Sequence, residues 1–166
     1  MSTTFLTTSP RQTQKLGEKT AKDILKVKNR RGARVLGLTG GLGGGKTTFL
    51  QGFARGLGIK EKVLSPTFII MRRLKIKDLT RLSAGQGFKN FYHLDCYRIA
   101  NSKELLDLDF KKIIADPKNI VAVEWADRVK KIMPGEALWI NFEFIDNKRR
   151  RIVIGTLKKN AKEVHK

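Results

Sequence analysis

The chain has 166 residues, enough to bury one substantial core, and carries 35 Lys and Arg against 15 Asp and Glu, a formal net charge of +20. Its 40% apolar and 30% charged residues exclude disordered and fibrous classes, and no stretch offers the roughly 18 consecutive apolar residues of a membrane span. The excess charge points to a polyanionic partner, nucleic acid before an anionic membrane surface, although a solvated Lys-rich face gives the same count. The lone cysteine, Cys96, is expected to pack in the interior, and the start lacks a basic leader followed by an apolar run. A single cytoplasmic domain is the expectation.

Ser9 followed by Pro10 marks a helix start, because the serine oxygen accepts a free backbone N–H and proline's fixed φ suits the first helical position. The helix should run to about Lys28, with Leu16, Thr20, Ile24 and Val27 as its inward stripe. Arg34 to Thr39 reads as a short buried strand bounded by glycines. Directly after it comes the glycine-rich loop GGLGGGKT, Gly40 to Thr47. Phe49, Leu50, Phe53 and Leu57 then recur at helical spacing until Gly56 and Gly58 stop the helix.

Met71 to Lys77 alternates, placing Leu74 and Ile76 on one face and Arg73, Lys75 and Lys77 on the other. A loop or flap over Asp78 to Asn90 precedes a strand at Phe91 to Asp95, and a helix is expected near Lys103 to Ile114. Ile120 to Trp125 reads as a buried central strand, and Leu138 to Ile145 with Arg150 to Leu157 as a hairpin. About residues 158–166 are expected to form a loose basic tail.

Gly40, Gly45, Lys46 and Thr47 satisfy G-x-x-x-x-G-K-[ST], and the strand before and helix after them supply the context that pattern needs. Such a loop turns its N–H groups onto the phosphates of a nucleoside triphosphate, and a Cβ would obstruct the close approach. Gly40, Gly41, Leu42, Gly43, Gly44, Gly45, Lys46, Thr47 and Thr48 are therefore the candidate nucleotide-binding residues. Lys46 brings a compact charge to the β and γ phosphates, and the Thr47 hydroxyl would hold magnesium at a helix N-terminus.

A P-loop enzyme also needs a carboxylate to hold or orient the metal, at the end of a neighbouring strand. Asp95 and Glu124 both follow apolar runs and are the candidate catalytic and metal-linked acids; either one can be the direct ligand. His93, Tyr97 and Arg98 crowd around Asp95, where the arginine can fix a carboxylate or meet a phosphate and the histidine reads as a buried, hydrogen-bonded one. Trp125 is a reporter of the site or simple core.

With GGLGGGKTTF, LSPTF, HLDCYR and VEW in this order, the chain resembles the bacterial TsaE (YjeE) family of tRNA threonylcarbamoyladenosine synthesis, over roughly residues 9 to 155. The resemblance implies an α/β, P-loop NTPase-like three-layer fold with a mostly parallel central sheet flanked by helices. It also implies weak ATP hydrolysis serving an assembly with TsaB and TsaD proteins, which modifies the adenosine beside the anticodon of tRNAs reading codons that begin with A. By position, Lys46 and Thr47 bind phosphate and Mg2+, Asp95 resembles the family's metal-linked aspartate, and Glu124 its Walker-B-like acid. Ser65 and Thr67 match the segment near the nucleotide. Three positions depart: Gly41 stands for the usual aspartate, Gly44 for the usual alanine, and Asp109 for the usual glycine, while 72–90 is longer and more basic.

An ATPase supporting a tRNA-modifying complex, with tRNA near or bound through the basic surface, is thus the first reading. A small-molecule P-loop kinase is the second, although no arginine-rich lid or acceptor pocket is evident. A GTPase is disfavoured for want of N-K-x-D. A non-enzymatic RNA-binding module leaves Asp95, Glu124 and the glycine loop idle.

Overall fold

The computed structural model describes residues 2–28, 31–66, 68–77 and 87–156. Thr67, most of the expected flap at 78–90 and the expected tail lie outside the described residues. Along the chain the elements are β1 (Ser2–Thr7), α1 (Pro10–Leu25), β2 (Arg34–Thr39), α2 (Lys46–Gly56), β3 (Met71–Lys75) and β4 (Asn90–Asp95). They continue with α3 (Lys103–Leu106), α4 (Phe110–Ala115), β5 (Asn119–Glu124), a 3₁₀ stretch over Ala126–Ile132, β6 (Leu138–Phe144) and β7 (Arg150–Thr156).

Among the described residues seven strands form one sheet in the order β1-β7-β6-β2-β5-β4-β3. The expected α/β architecture holds, but the sheet is partly rather than mostly parallel: β2 runs parallel to β5 and β6, and β4 parallel to β5. The edges are antiparallel, β3 on β4 at one side and the β6–β7 hairpin with β1 at the other. The reason is connectivity: β6 and β7 are joined by a short turn, which returns the chain antiparallel, whereas helices separate the central strands.

Apolar side chains fill both faces of the sheet. On one, Leu36, Leu38, Phe91 and Ile120 pack with Phe49, Leu50 and Phe53 of α2 and Ala21 and Ile24 of α1. On the other, Val35, Leu94, Val121 and Val123 pack with Leu105, Phe110, Ile113 and Val129. Residues of the central strand β5 are buried along its whole length, as an unbroken apolar run requires. Cys96 is fully buried in the second cluster, and burial pushes its thiol pKa up to about 12, which leaves it a packing residue.

Helix α1 starts where expected, with the Ser9 side chain accepting from the Gln12 N–H and Pro10 in the first turn. It ends at Leu25, so Val27 lies past the helix and is exposed; the inward stripe is Thr13, Gly17, Thr20, Ala21, Ile24 and Leu25. The stripe falls on Gly17 because α1 and α2 cross at backbone contact: a Cβ on Gly52 would lie 1.9 Å from the Gln14 carbonyl oxygen. The helix expected near Lys103 to Ile114 is broken in two, since Asp109 adopts a left-handed conformation, φ 59°, between α3 and α4. Strand β1 and the 3₁₀ stretch were not anticipated.

Candidate nucleotide site

Strand β2 delivers the chain to the centre of the sheet's carboxyl edge, and the glycine loop reverses it into α2. Gly40, Gly43 and Gly45 have φ of 120°, 71° and 101°, values a side chain resists. At Gly40 space decides as well: a Cβ there would sit 2.1 Å from the Phe142 carbonyl oxygen of β6. The Lys46 ammonium donates to the carbonyls of Gly40 at 2.7 Å and Gly41 at 2.9 Å. It also stands 4.1 Å from the centre of the Trp125 ring. Burial lowers the Lys46 pKa, opposed by the negative charges of Glu124, Asp95 and Asp127.

The two candidate acids are brought together by the register, since Asp95 at the end of β4 pairs with Glu124 at the end of β5. Both are nearly fully buried. The Thr47 hydroxyl, on the first turn of α2, donates to the two carboxylate oxygens of Glu124 at 3.1 and 3.0 Å. His93 Nε2 lies 2.7 Å from Glu124 Oε1, so this acid is fixed from both sides. Ser65 donates its hydroxyl proton to Asp95 Oδ2, and the Tyr97 N–H donates to Asp95 Oδ1 at 2.9 Å.

Asp95, Glu124, Ser65, Tyr97 and Trp125 line one cleft of about 420 Å³ together with the glycine loop. Leu42, Gly43, Gly44, Gly45, Lys46, Thr47 and Thr48 form its floor, with Ser65, Asp95, Glu124 and Trp125 on one wall. Gly40 and Gly41 lie behind it, their carbonyls on Lys46. The cleft suits a triphosphate: loop N–H groups and a helix N-terminus meet a desolvated ammonium within it. It also suits magnesium, which takes oxygen donors, one or two carboxylates at most, and completes its shell with water and phosphate. Thr47 and Glu124 or Asp95 are such donors, and among the described residues no cluster of three or more His, Cys, Asp or Glu could hold a metal without such help.

The opposite wall was not legible in the sequence. It consists of Ser9, Pro10 and Thr13 at the start of α1 and Asn147, Lys148 and Arg150 from the β6–β7 turn. Arg150 donates to the Gly43 carbonyl at 2.8 Å and lies over the Phe144 ring at 4.4 Å. Arg98, expected at a carboxylate or phosphate, instead places its guanidinium 4.5 Å from the centre of the exposed Phe68 ring. His93 is buried and hydrogen-bonded, as its surroundings suggested.

A family model described as threonylcarbamoyl adenosine biosynthesis protein TsaE matches residues 7–152. A tRNA threonylcarbamoyladenosine biosynthesis protein TsaE from Treponema pallidum is 31% identical over 120 residues, 72% of this chain and 80% of that protein. The protein of the same description from Bacillus subtilis is 37% identical over 118 residues, 71% of this chain and 66% of its own. The crystal structure of Bacillus subtilis YdiB superposes with a TM-score of 0.65 at 28% identity, covering 95% of this chain and 87% of that one.

Proposed function

The chain belongs to the TsaE family of tRNA threonylcarbamoyladenosine biosynthesis, and on that premise we propose that it binds MgATP in the glycine-loop cleft and hydrolyses it in the service of that modification. The carrying observation is the convergence of Lys46, Thr47, Asp95 and Glu124, drawn from three elements, on one cleft. TsaB- and TsaD-like proteins are the proposed partners, tRNA is the molecule the assembly acts on, and the cytoplasm is the compartment. No helix among the described residues is long and apolar enough to cross a membrane.

Lys46 and the loop N–H groups neutralise charge that develops on the phosphates in the transition state. Thr47 supplies a hydroxyl oxygen, and Glu124 and Asp95 supply carboxylates that hold the metal or orient the attacking water. His93 keeps Glu124 in place, and Ser65 does the same for Asp95. A magnesium ion held by the Thr47 hydroxyl with Glu124 or Asp95 would supply positive charge that stabilises the negative charge of the phosphates. Arg150, on the far wall, offers a second cation to the nucleotide.

The test is a titration of ATP and of GTP with magnesium, followed through the fluorescence of Trp125, whose ring already touches Lys46. Selective ATP binding, weakened tenfold or more in Lys46→Ala, with phosphate release that is slow alone and rises with the partners, supports the proposal. Brisk hydrolysis without partners points to an independent ATPase or a kinase, and absence of nucleotide binding overturns it.

A further inference from the structure

Of the chain's 35 Lys and Arg, the nucleotide cleft is lined by three, Lys46, Lys148 and Arg150, which leaves basic features that the cleft does not use. One of them is the β3 edge of the sheet, which pairs with no further strand among the described residues. On β3, Arg73 and Lys75 are exposed and Lys77 follows just past the strand, alternating with the buried Leu74 and Ile76. Alternation places successive cations about 6.6 Å apart on one face, a spacing that can follow a phosphate backbone. Lys89 and Lys118 extend the row around the end of the sheet, where the Lys89 N–H donates to the Lys118 carbonyl at 2.8 Å.

An aromatic ring lies within the row. Tyr92, cross-strand from Arg73, is half-buried, with the Arg73 guanidinium 5.9 Å from its ring centre. Arg73 is held in place by Asn90 Oδ1, at 3.1 and 2.8 Å. Among the described residues none of these five cations forms an ion pair; the bridges involve Asp23, Glu18, Glu124, Asp109, Asp146 and Glu143. Asp116, two residues before Lys118, accepts from the Lys118 backbone N–H at 2.9 Å, and Asp78, next to Lys77 in sequence, lies outside the described residues.

We propose that this basic edge, Arg73, Lys75, Lys77, Lys89 and Lys118 with Tyr92, is a docking surface for the phosphate backbone of tRNA. The proposal rests on the reading of the chain as a member of a tRNA-modifying assembly and adds the surface through which the RNA is touched. Because β3 runs antiparallel to β4, Met71 lies beside the site end at Leu94 while Lys75 lies at the far end beside Asn90. The contact is therefore separate from the nucleotide cleft. Unpaired cations on an edge strand also keep that edge from pairing with other strands, and this second role predicts no RNA binding there.

The experiment measures binding of fluorescently labelled, unmodified tRNA by anisotropy across a series of salt concentrations. It compares the full chain with two triple variants of equal charge: Lys75→Ala/Lys77→Ala/Lys89→Ala on the edge, and Lys15→Ala/Lys19→Ala/Lys22→Ala on the exposed face of α1. The expected result is a loss of tenfold or more for the edge variant only, with the slope of log K against log salt shallower by about 2. Restoring the charge as Lys75→Arg/Lys77→Arg/Lys89→Arg should recover binding. Equal losses from both alanine variants, or no tRNA binding by the unaltered chain, overturn the proposal. MgATP binding, measured on the same variants by Trp125 fluorescence, should be unchanged; its absence from the unaltered protein would instead sink the nucleotide reading while leaving the RNA result interpretable.

Discussion

Thr47 Oγ1 donates to both carboxylate oxygens of Glu124, at 3.1 and 3.0 Å, across 77 positions of sequence. The contact joins the first turn of α2 to the end of β5 and sets two oxygen donors of magnesium type side by side. Glu124→Gln preserves shape and removes one negative charge. It should leave the fold intact, raise the magnesium concentration needed for ATP binding, and lower partner-stimulated phosphate release on the order of 10²-fold. Magnesium titrations with steady-state phosphate release check this, and turnover within twofold of the unaltered chain would remove Glu124 from the mechanism.

His93 is fully buried and holds Glu124 through Nε2, while its Nδ1 has no hydrogen-bond partner among the described residues. His93→Ala removes a packed ring from beside Phe91 and leaves a buried carboxylate with one partner fewer. The expected cost is about 2–4 kcal/mol in chemical denaturation. His93→Gln, which can still donate to the carboxylate, should recover part of that loss and part of the turnover.

The glycine loop, its strand and its helix were legible because φ demands, charge and periodicity all act within about 20 consecutive residues. Asp95 and Glu124 were legible for a related reason: each ends an apolar run, and a parallel sheet brings such ends to one edge. Arg150, Thr13 and Lys148 were not, because they reach the cleft only through the placement of β7 and α1, which no local pattern encodes. Strand β1 was missed because its partners lie at the far end of the chain: Ser2 pairs with Gly155 and Thr7 with Arg150. The break between α3 and α4 was only weakly signalled, because Asp109 enters the left-handed region more readily than most residues but far less readily than glycine.

That turn is itself testable. Asp109 has φ 59° and is exposed, and its ion pair with Lys112 at 3.0 Å lies in water, where such pairs contribute little. Asp109→Gly removes the steric penalty on the left-handed conformation. It should be neutral or stabilising by up to about 1 kcal/mol, whereas Asp109→Ala should destabilise by about 1 kcal/mol. Thermal melts of the two variants decide, and the reverse order would refute the assignment.

Neighbouring glycines of the loop should respond in opposite directions. A Cβ on Gly40 meets the Phe142 carbonyl at 2.1 Å on a backbone with φ 120°, so Gly40→Ala should destabilise by about 1–3 kcal/mol and disturb the carbonyl that holds Lys46. At Gly41 nothing lies within 4 Å, and no left-handed φ is required. Gly41→Ala should be stabilising by about 0.4–1 kcal/mol, through the lower entropy of the unfolded chain. Denaturation midpoints with unchanged slope test both, and a Gly41→Ala variant as unstable as Gly40→Ala would contradict the loop geometry.

Lys46 links the site to pH. Burial lowers its pKa in the folded state below the ordinary 10.5, and the attraction of Glu124, Asp95 and Asp127 does not fully compensate. Between the lowered folded value and 10.5 the unfolded chain binds more protons than the folded one, so this residue makes stability rise with pH over that interval. At lower pH both states carry the charge and the burial penalty is constant; above 10.5 both are neutral and it vanishes. Lys46→Met, which fills similar space without charge, should therefore be more stable than the unaltered chain near pH 8, with the difference shrinking as pH climbs. MgATP binding should behave oppositely, weakening over the same alkaline interval as the ammonium loses its proton. Paired denaturation curves from pH 8 to about 11 give the first trend, with all other titrating groups shared by the two proteins and cancelling in the comparison. A stability difference that stays flat across the range would mean that Lys46 keeps an ordinary pKa in the folded protein.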